Sequence, residues 1–487
     1  MDGAVSWTEM GSERGLDPLA MINVIQERYQ SLLPGFSSVT TRLRNYSFYS
    51  WLVAHYAQNI HDASRTRFHS FLRRCEALYA LASAQDSKET GVAARLFAND
   101  YLRGDNPVID FIRATDEATP AAERYMDAKS GVFYAVYFRQ MVDYGLLEER
   151  TEHGLPVPTE TGAALAAAYD ETLGGLSASF FAAADAGTVS RQELAPMALM
   201  RPSALDQDSA EAELLRDLLL GSDGRESSLE RRKTLLLILE TARFSAAPVA
   251  VDDLRWSWLE TVPEGELQET HAAWRHYQTG DTVRVVYEAL MRHATRELMD
   301  HPLGLALPAL NALALRDIPD VTLKDFFFAL EAANDGRTFR ELQGAALRDE
   351  APIADILAPL ARLCTLWRGD LDQLKESFPD KPGYQTGLSE LRWLIQSMDQ
   401  SASGVLQTLI GERVLRRHLE VAARKFHLQK KYTYLVEIED ARLRARRIAM
   451  VEASGPRLGT ALQFLEDIGL MQDACITTRG TALLEAQ

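Results

Sequence analysis

The sequence predicts a mainly α, multi-domain helical protein in which two modules each close on a short β hairpin. Three observations carry that prediction. At 487 residues the chain is too long for one hydrophobic core. Apolar residues recur at helical spacing through most of it, and turns rich in Gly, Pro and Asp separate the runs. Two segments far apart in the sequence share one pattern of helix, glycine, hairpin and helix. The breaks divide the chain into an N-terminal helical domain (1–90), a first module (91–172), a central helical domain (173–400) and a basic C-terminal module (401–487).

Composition bounds the class. Hydrophobic residues make up 46% and charged residues 25%, ordinary values for a globular protein. No apolar run reaches the roughly 18–20 residues that a membrane-spanning helix needs, so no membrane partner is expected. The opening MDGAVSWTEMGSERGLDP is acidic and lacks the apolar stretch of a secretory signal. Cys75, Cys364 and Cys475 are too sparse for a disulfide frame or a zinc site. The expected location is the cytoplasm, with no metal and no cofactor.

Taken in order, Asp17-Pro18 reads as a helix cap followed by proline at the first helical position. Ile22, Ile25, Tyr29 and Leu32 then keep helical spacing until Pro34-Gly35. Ser37 or Ser38 is placed to cap a second helix. In it Leu43, Tyr46, Phe48, Tyr49, Trp51, Leu52, Val53 and Tyr56 cover nearly every side, the mark of a helix buried by its neighbours. Arg42 and Arg44 fall in its first turns, where unpaired N–H groups disfavour cations. They are expected to be structural and to reach carboxylates elsewhere in the fold. FHSFLRRCEALYALASA is a further amphipathic helix. The Arg103-Gly104-Asp105 triplet is an adhesion motif only in extracellular proteins and carries no weight here.

The two modules follow. After VFYAVYFRQMVDY comes GLLEERTEHGLPVPTETGAALAAAY, and after RLGTALQFLEDI comes GLMQDACITTRGTALLEA. In each a glycine (Gly145, Gly469) ends a helix, two apolar residues begin a strand, and Thr-x-x-Gly-x-Ala-Leu (Thr159–Leu165, Thr477–Leu483) opens the next helix. His153-Gly154 is the expected hairpin tip in the first copy. These patterns resemble those of bacterial winged-helix proteins, many of them regulators. The resemblance implies two winged-helix-like modules of roughly 60–80 residues. The presumed recognition helix of the first copy offers Phe133, Tyr134, Tyr137 and Phe138 with only Arg139 as a cation, a candidate protein interface. That of the second, around Arg457, Thr460 and Gln463, has few side chains able to reach base edges.

Between the copies, helical runs such as SLERRKTLLLILETARF, DTVRVVYEALMRHATRELM and PIADILAPLARLCTLW alternate with breaks at Asp223-Gly224, Pro263–Gly265, Asn334–Gly336 and Pro379–Gly383. No fixed-period repeat appears. The sequence holds no Gly-rich phosphate loop, no His-Glu-x-x-His and no Gly-x-Ser-x-Gly, so a non-enzymatic role is expected. His55 and His61 fall on different faces, and His271 and His276 read likewise as structural.

Charge is unevenly spread. The chain carries a net −17, yet residues 413–447 hold eleven cations (Arg413, Arg416, Arg417, Arg424, Lys425, Lys430, Lys431, Arg442, Arg444, Arg446, Arg447) against four acids, a local +7. RVLRRHLEVAARKFHLQKK reads as an amphipathic helix with Val414, Leu415, Leu419, Val421, Ala422 and Phe426 inward. YTYLVEIEDARLRARRI reads either as two strands turning near Glu439-Asp440 or as a strand and a basic helix. In the first form Arg442, Arg444 and Arg446 share one face. This ridge is the candidate DNA-binding element, through sequence-tolerant phosphate contacts, or a dock for an acidic protein partner.

PGFSSVTTRLRNYSFYSWL also resembles the Pro-Gly-x-Ser-x(4)-Arg-x-Arg-Tyr…Phe…Trp block of uncharacterised bacterial proteins encoded near restriction and anti-phage genes. Here Asn45 stands between Arg44 and Tyr46. The resemblance implies a subunit or adaptor of a defence or DNA-processing complex, with other subunits of the same operon as partners and DNA as a possible one. A protein-only scaffold, or a nucleotide-sensing effector using Arg42 and Arg44, are the alternatives.

Overall fold

A computed structural model describes residues 9–10, 17–104, 106–150, 154–221, 225–381 and 383–486. His153 of the expected hairpin tip, Asp105 of the Arg-Gly-Asp triplet, the Asp223-Gly224 break and Pro382 lie outside the described residues. The described chain is mainly helical, and its strands form two-stranded pairs only. No described helix is long and apolar enough to cross a membrane. Two compact units emerge, each assembled from stretches distant in sequence: Met1–Tyr29 with Asp252–Pro456, and Gln30–Val251 with Arg457–Gln487. They cut across the sequence segments, since 1–90, 173–400 and 401–487 each contribute to both.

The first unit is built around the 32-residue helix Gln268–Met299. Helices Leu307–Ala314, Phe339–Leu347, Ile353–Trp367 and Gly387–Gln396 pack around it, and its rings Trp274, Tyr277 and Tyr287 are buried. A helix buried this completely must pair its polar groups internally. Asp281 accepts from Arg284 (2.8 Å) and Arg255 (3.1 Å), and Arg284 donates on to Glu288 (2.7 Å). Gly280 allows a close helix approach, because a Cβ there would lie 2.6 Å from Ile25 and Phe378.

The second unit contains the aromatic helix Arg44–His55, buried along almost its whole length. It starts later than the serines suggest. Ser37 Oγ accepts from the Val39 N–H (3.2 Å) within a turn and caps nothing, and the first helical residue is Arg44. The Leu43 N–H instead donates to Asp467 Oδ2 (2.8 Å), so a carboxylate more than 400 positions away serves as the cap. Tyr46 sits edge-on to Tyr144 (5.2 Å), Tyr137 (5.7 Å) and Phe464 (6.2 Å). Its ring therefore touches both copies of the repeated pattern.

Those copies have matching geometry. Gly145 and Gly469 both take φ +72°, which only glycine adopts cheaply. The following leucine N–H reaches back five residues, Leu146 to Met141 O (2.8 Å) and Leu470 to Leu465 O (2.9 Å), closing each helix. Thr159 caps helix Glu160–Thr172 by accepting from the Gly162 N–H, and Thr477 caps Thr478–Glu485 by accepting from the Gly480 N–H, both at 3.1 Å. The glycines press on the strand start: a Cβ on Gly162 would lie 2.0 Å from Leu146 O, and one on Gly480 2.4 Å from Leu470 O. Strands Leu147–Arg150 and Leu155–Pro158 pair antiparallel in the first copy, Met471–Gln472 and Cys475–Ile476 in the second. Each copy is thus a helix, a two-stranded antiparallel pair and a helix.

Candidate functional site

Residues 436–445 adopt the two-strand form. Val436–Glu439 and Arg442–Ala445 pair antiparallel, with Glu439 opposite Arg442 and Glu437 opposite Arg444. The turn passes through Asp440 and Ala441, both at positive φ. Leu443 is buried, so alternation turns Arg442 and Arg444 outward. The same alternation puts Glu437 and Glu439 on that face, where Arg444 pairs with Glu439 (3.0 Å) and Arg446 with Glu437 (2.9 Å). The guanidinium of Arg446 also lies 4.9 Å from the Tyr432 ring.

The helical part of the ridge is engaged in the same way. Arg413 donates to Glu390 (2.9 Å) and lies 4.0 Å from the Trp393 ring. Arg416 pairs with Glu412 (2.7 Å) and Glu420 (3.3 Å) one turn to either side. Arg417 Nε donates to Leu19 O (3.1 Å), Lys425 Nζ to Asp17 O (2.8 Å), and Arg442 to Gly304 O (3.3 Å). Arg447 is half-buried. Arg424, Lys430 and Lys431 are exposed and form no ion pair among the described residues. Val414, Leu415, Val421 and Ala422 face inward, but Phe426 is exposed, because the helix end beyond Ala422 leaves the unit's core. The cations of 413–447 thus differ in their engagement: Arg413, Arg416, Arg444 and Arg446 are ion-paired, Arg417, Lys425 and Arg442 hold backbone carbonyls, and Arg424, Lys430 and Lys431 stand exposed.

The aromatic quartet of the first module needs correction. Phe133 and Tyr137 are buried, Phe133 against Tyr49 (5.5 Å) and Tyr137 against Tyr49 (4.5 Å) and Tyr46. Only Tyr134 and Phe138 are half-exposed, so the four do not form an interface patch. The helical turn Phe133–Tyr137 is π-type, and it wraps these rings onto the buried helix. In the second copy, Arg457 donates to Phe36 O and Thr460 to Ser37 O (2.9 Å), so that helix face is already occupied.

Arg42 and Arg44 are locked. Arg44 donates to Glu211 through Nε (3.0 Å) and Nη2 (3.0 Å), to Thr172 Oγ1 (3.1 Å), and to the carbonyls of Leu199 (2.7 Å) and Arg201 (2.8 Å). All five of its N–H groups are used. Arg42 bridges Asp467 (2.9 Å) and Glu89 (2.9 Å). Asn45 donates to Gly91 O (2.9 Å) and Tyr137 (2.8 Å) and accepts from Tyr79 (2.8 Å). Arg44 thus has no N–H left for an outside anion.

Three features escaped the sequence reading. In the first unit, a cavity of about 210 Å³ opens beside Asp17, Arg284, Glu288 and Glu452. Burial, only partly offset by Arg284, pushes the Glu288 carboxyl up to about 7. In the second unit, Glu76 is buried and accepts from the Phe133 N–H (2.7 Å), the Val132 N–H (2.8 Å) and the Tyr125 hydroxyl. Burial outweighs those donors and pushes its carboxyl up to about 7. At the far end of the aromatic helix, two adjoining cavities of about 240 and 600 Å³ share His55 and Phe181. Among the described residues no cluster of His, Cys, Asp and Glu has the arrangement of a metal site.

In comparison with known proteins, no family model, curated protein or solved structure matches this chain.

Proposed function

We propose that the chain is a helical adaptor subunit of a bacterial defence or DNA-processing complex, and that it holds protein subunits together rather than catalysing a reaction. The observation that carries the reading is the compensated hairpin. Arg444 and Arg446 face Glu439 and Glu437, while Ile438 of the same hairpin and Leu428 at the end of the preceding helix stand exposed. Alternating charge with solvent-facing apolar side chains suits a protein partner. A phosphate backbone favours uncompensated cations, which release counterions on binding. The defence setting rests on the N-terminal block and its resemblance, and the winged-helix character of the two motifs remains part of the proposal. The expected partners are proteins encoded beside this gene.

The test is co-expression with the neighbouring gene products, purification after nuclease digestion, and native mass spectrometry of the assembly. A partner held at fixed stoichiometry by the wild type and lost with Leu428→Asp and Ile438→Asp supports the adaptor. Absence of any such partner, or its loss on nuclease treatment alone, overturns it.

A second reading rests on Arg424, Lys430 and Lys431, whose exposed cations could touch duplex DNA without sequence preference. Reversal of these three to glutamate should then abolish salt-sensitive retention on DNA. Reversal of Arg442, Arg444 and Arg446 should alter it less, since two of those charges are already paired.

A further inference from the structure

We infer that the second unit carries a nucleotide-binding cavity at the C-terminal end of the helix Arg44–His55, a site that goes beyond the adaptor reading and does not rest on it. Three rings share one orientation there. His55 stacks on Phe181 with centroids 3.4 Å apart and planes 13° apart. Phe71 lies 6.1 Å from His55 and 6.0 Å from Phe181, tilted by only 9° and 20°. Burial lowers the His55 pKa, so this imidazole is neutral near pH 7 and presents a ring face rather than a charge.

Cations stand beside the rings. Helix Arg65–Ala84 sends Arg67, Phe71 and Arg74 into the cavity at spacings of four and three, which places them on one face. Helix Ser177–Ala186 supplies Phe181 and Asp185 opposite them. Arg67 and Arg74 each reach Asp185 at 3.8 Å, and Asp185 itself is 76% exposed. Arg74 also donates to the Asp185 carbonyl (2.6 Å). Long, solvated ion pairs of this kind contribute little and yield readily to a doubly charged phosphate, which guanidinium groups bind in bidentate fashion. Arg44, at the other end of the same helix, offers the contrast: each of its N–H groups already has a partner.

The adjoining cavity, lined by Trp51 and Asn59 beside His55 and Phe181, adds room. At about 240 and 600 Å³, the two volumes lie in or near the range of small-molecule sites. Aromatic faces for a planar base and arginines for a phosphate call for one ligand carrying both. That ligand class is a nucleotide.

The experiment is titration calorimetry of the full chain with AMP, UMP, ATP and GTP, and with adenosine and inorganic phosphate as the two halves of the ligand. At least one nucleotide should bind about tenfold or more tightly than either half, with a change in Trp51 emission. Arg67→Glu should weaken it about tenfold or more, and Arg67→Lys should recover part of the loss through its charge but without the bidentate fork. Arg67 is exposed, so the melting temperature without ligand should stay put in both variants. Failure of all four nucleotides to saturate by about 5 mM overturns the inference. So does phosphate binding as tightly as the best nucleotide, or Arg67→Glu binding like the wild type.

Discussion

Arg44 shows what a buried cation requires. Its side chain is almost fully enclosed, and Glu211, Thr172 and two carbonyls take all its donors. Removing one partner of such a pair strands the other in a low-dielectric interior. Arg44→Ala should therefore cost about 3–5 kcal/mol, while Arg44→Met combined with Glu211→Leu should recover much of it. Urea denaturation of Arg44→Met, Glu211→Leu and the double variant measures the coupling. That the arginines sat badly at a helix start was legible in the sequence, because their charge opposes the unpaired N–H groups there. Which acids would meet them was not. Glu211 and Asp467 lie 167 and 425 positions from their arginines, and no local pattern encodes such a distance.

At the scale of elements, the repeated Thr-x-x-Gly was the most legible feature. The threonine supplies a side-chain cap, and the glycine leaves space for a carbonyl. Gly162→Ala and Gly480→Ala should each cost about 2–4 kcal/mol by steric clash with Leu146 and Leu470. The turns act in the opposite direction. Asp440-Ala441 and Asp473-Ala474 hold alanines at φ +61° and +60°. Glycine there should add about 0.5–1 kcal/mol. Thermal melts of the four variants check both signs. Counting charges along 413–447 gives a sum but not which acids and bases meet. In VEIEDARLRA the period of two puts glutamates and arginines on one face, directly across the hairpin. The pairing was readable once both strands were written with their alternation. The capping of helix Arg44–His55 by Asp467 was not, since nothing near Leu43 announces it.

Over the whole molecule, several buried groups hold pKa values far from ordinary, and their sum sets how stability depends on pH. Burial raises Glu76 and Glu288 to about 7 and Asp467 to about 6. Burial lowers His276 and His418 to about 4. A raised carboxyl binds its proton more tightly in the folded state, so stability increases as pH falls through about 7. A lowered histidine resists protonation when folded, so stability is lost as pH falls below its unfolded value of about 6.5. Three raised carboxyls outweigh two lowered histidines, so the melting temperature should climb from about pH 8 toward about pH 5, the histidines only making the rise shallower below about 6.5. Melts at constant ionic strength test this, and Glu76→Gln should flatten the alkaline limb. The helical class and the placing of most helices were legible from apolar spacing alone. The partition into units was not, because each unit joins stretches that the sequence keeps apart.

That partition bears on how the protein comes into being. Residues 30–251 share a unit with 457–487, and the intervening stretch belongs to the other. At about 5–20 residues per second, a ribosome would take roughly 10–40 s to deliver the missing piece. Throughout that interval Leu43 lacks its cap, Arg42 lacks Asp467, and Phe36 lacks Phe464. The nascent polypeptide thus exposes an aromatic surface that cannot be sealed from within, and a chaperone that shields rings during synthesis is the helper such a chain calls for.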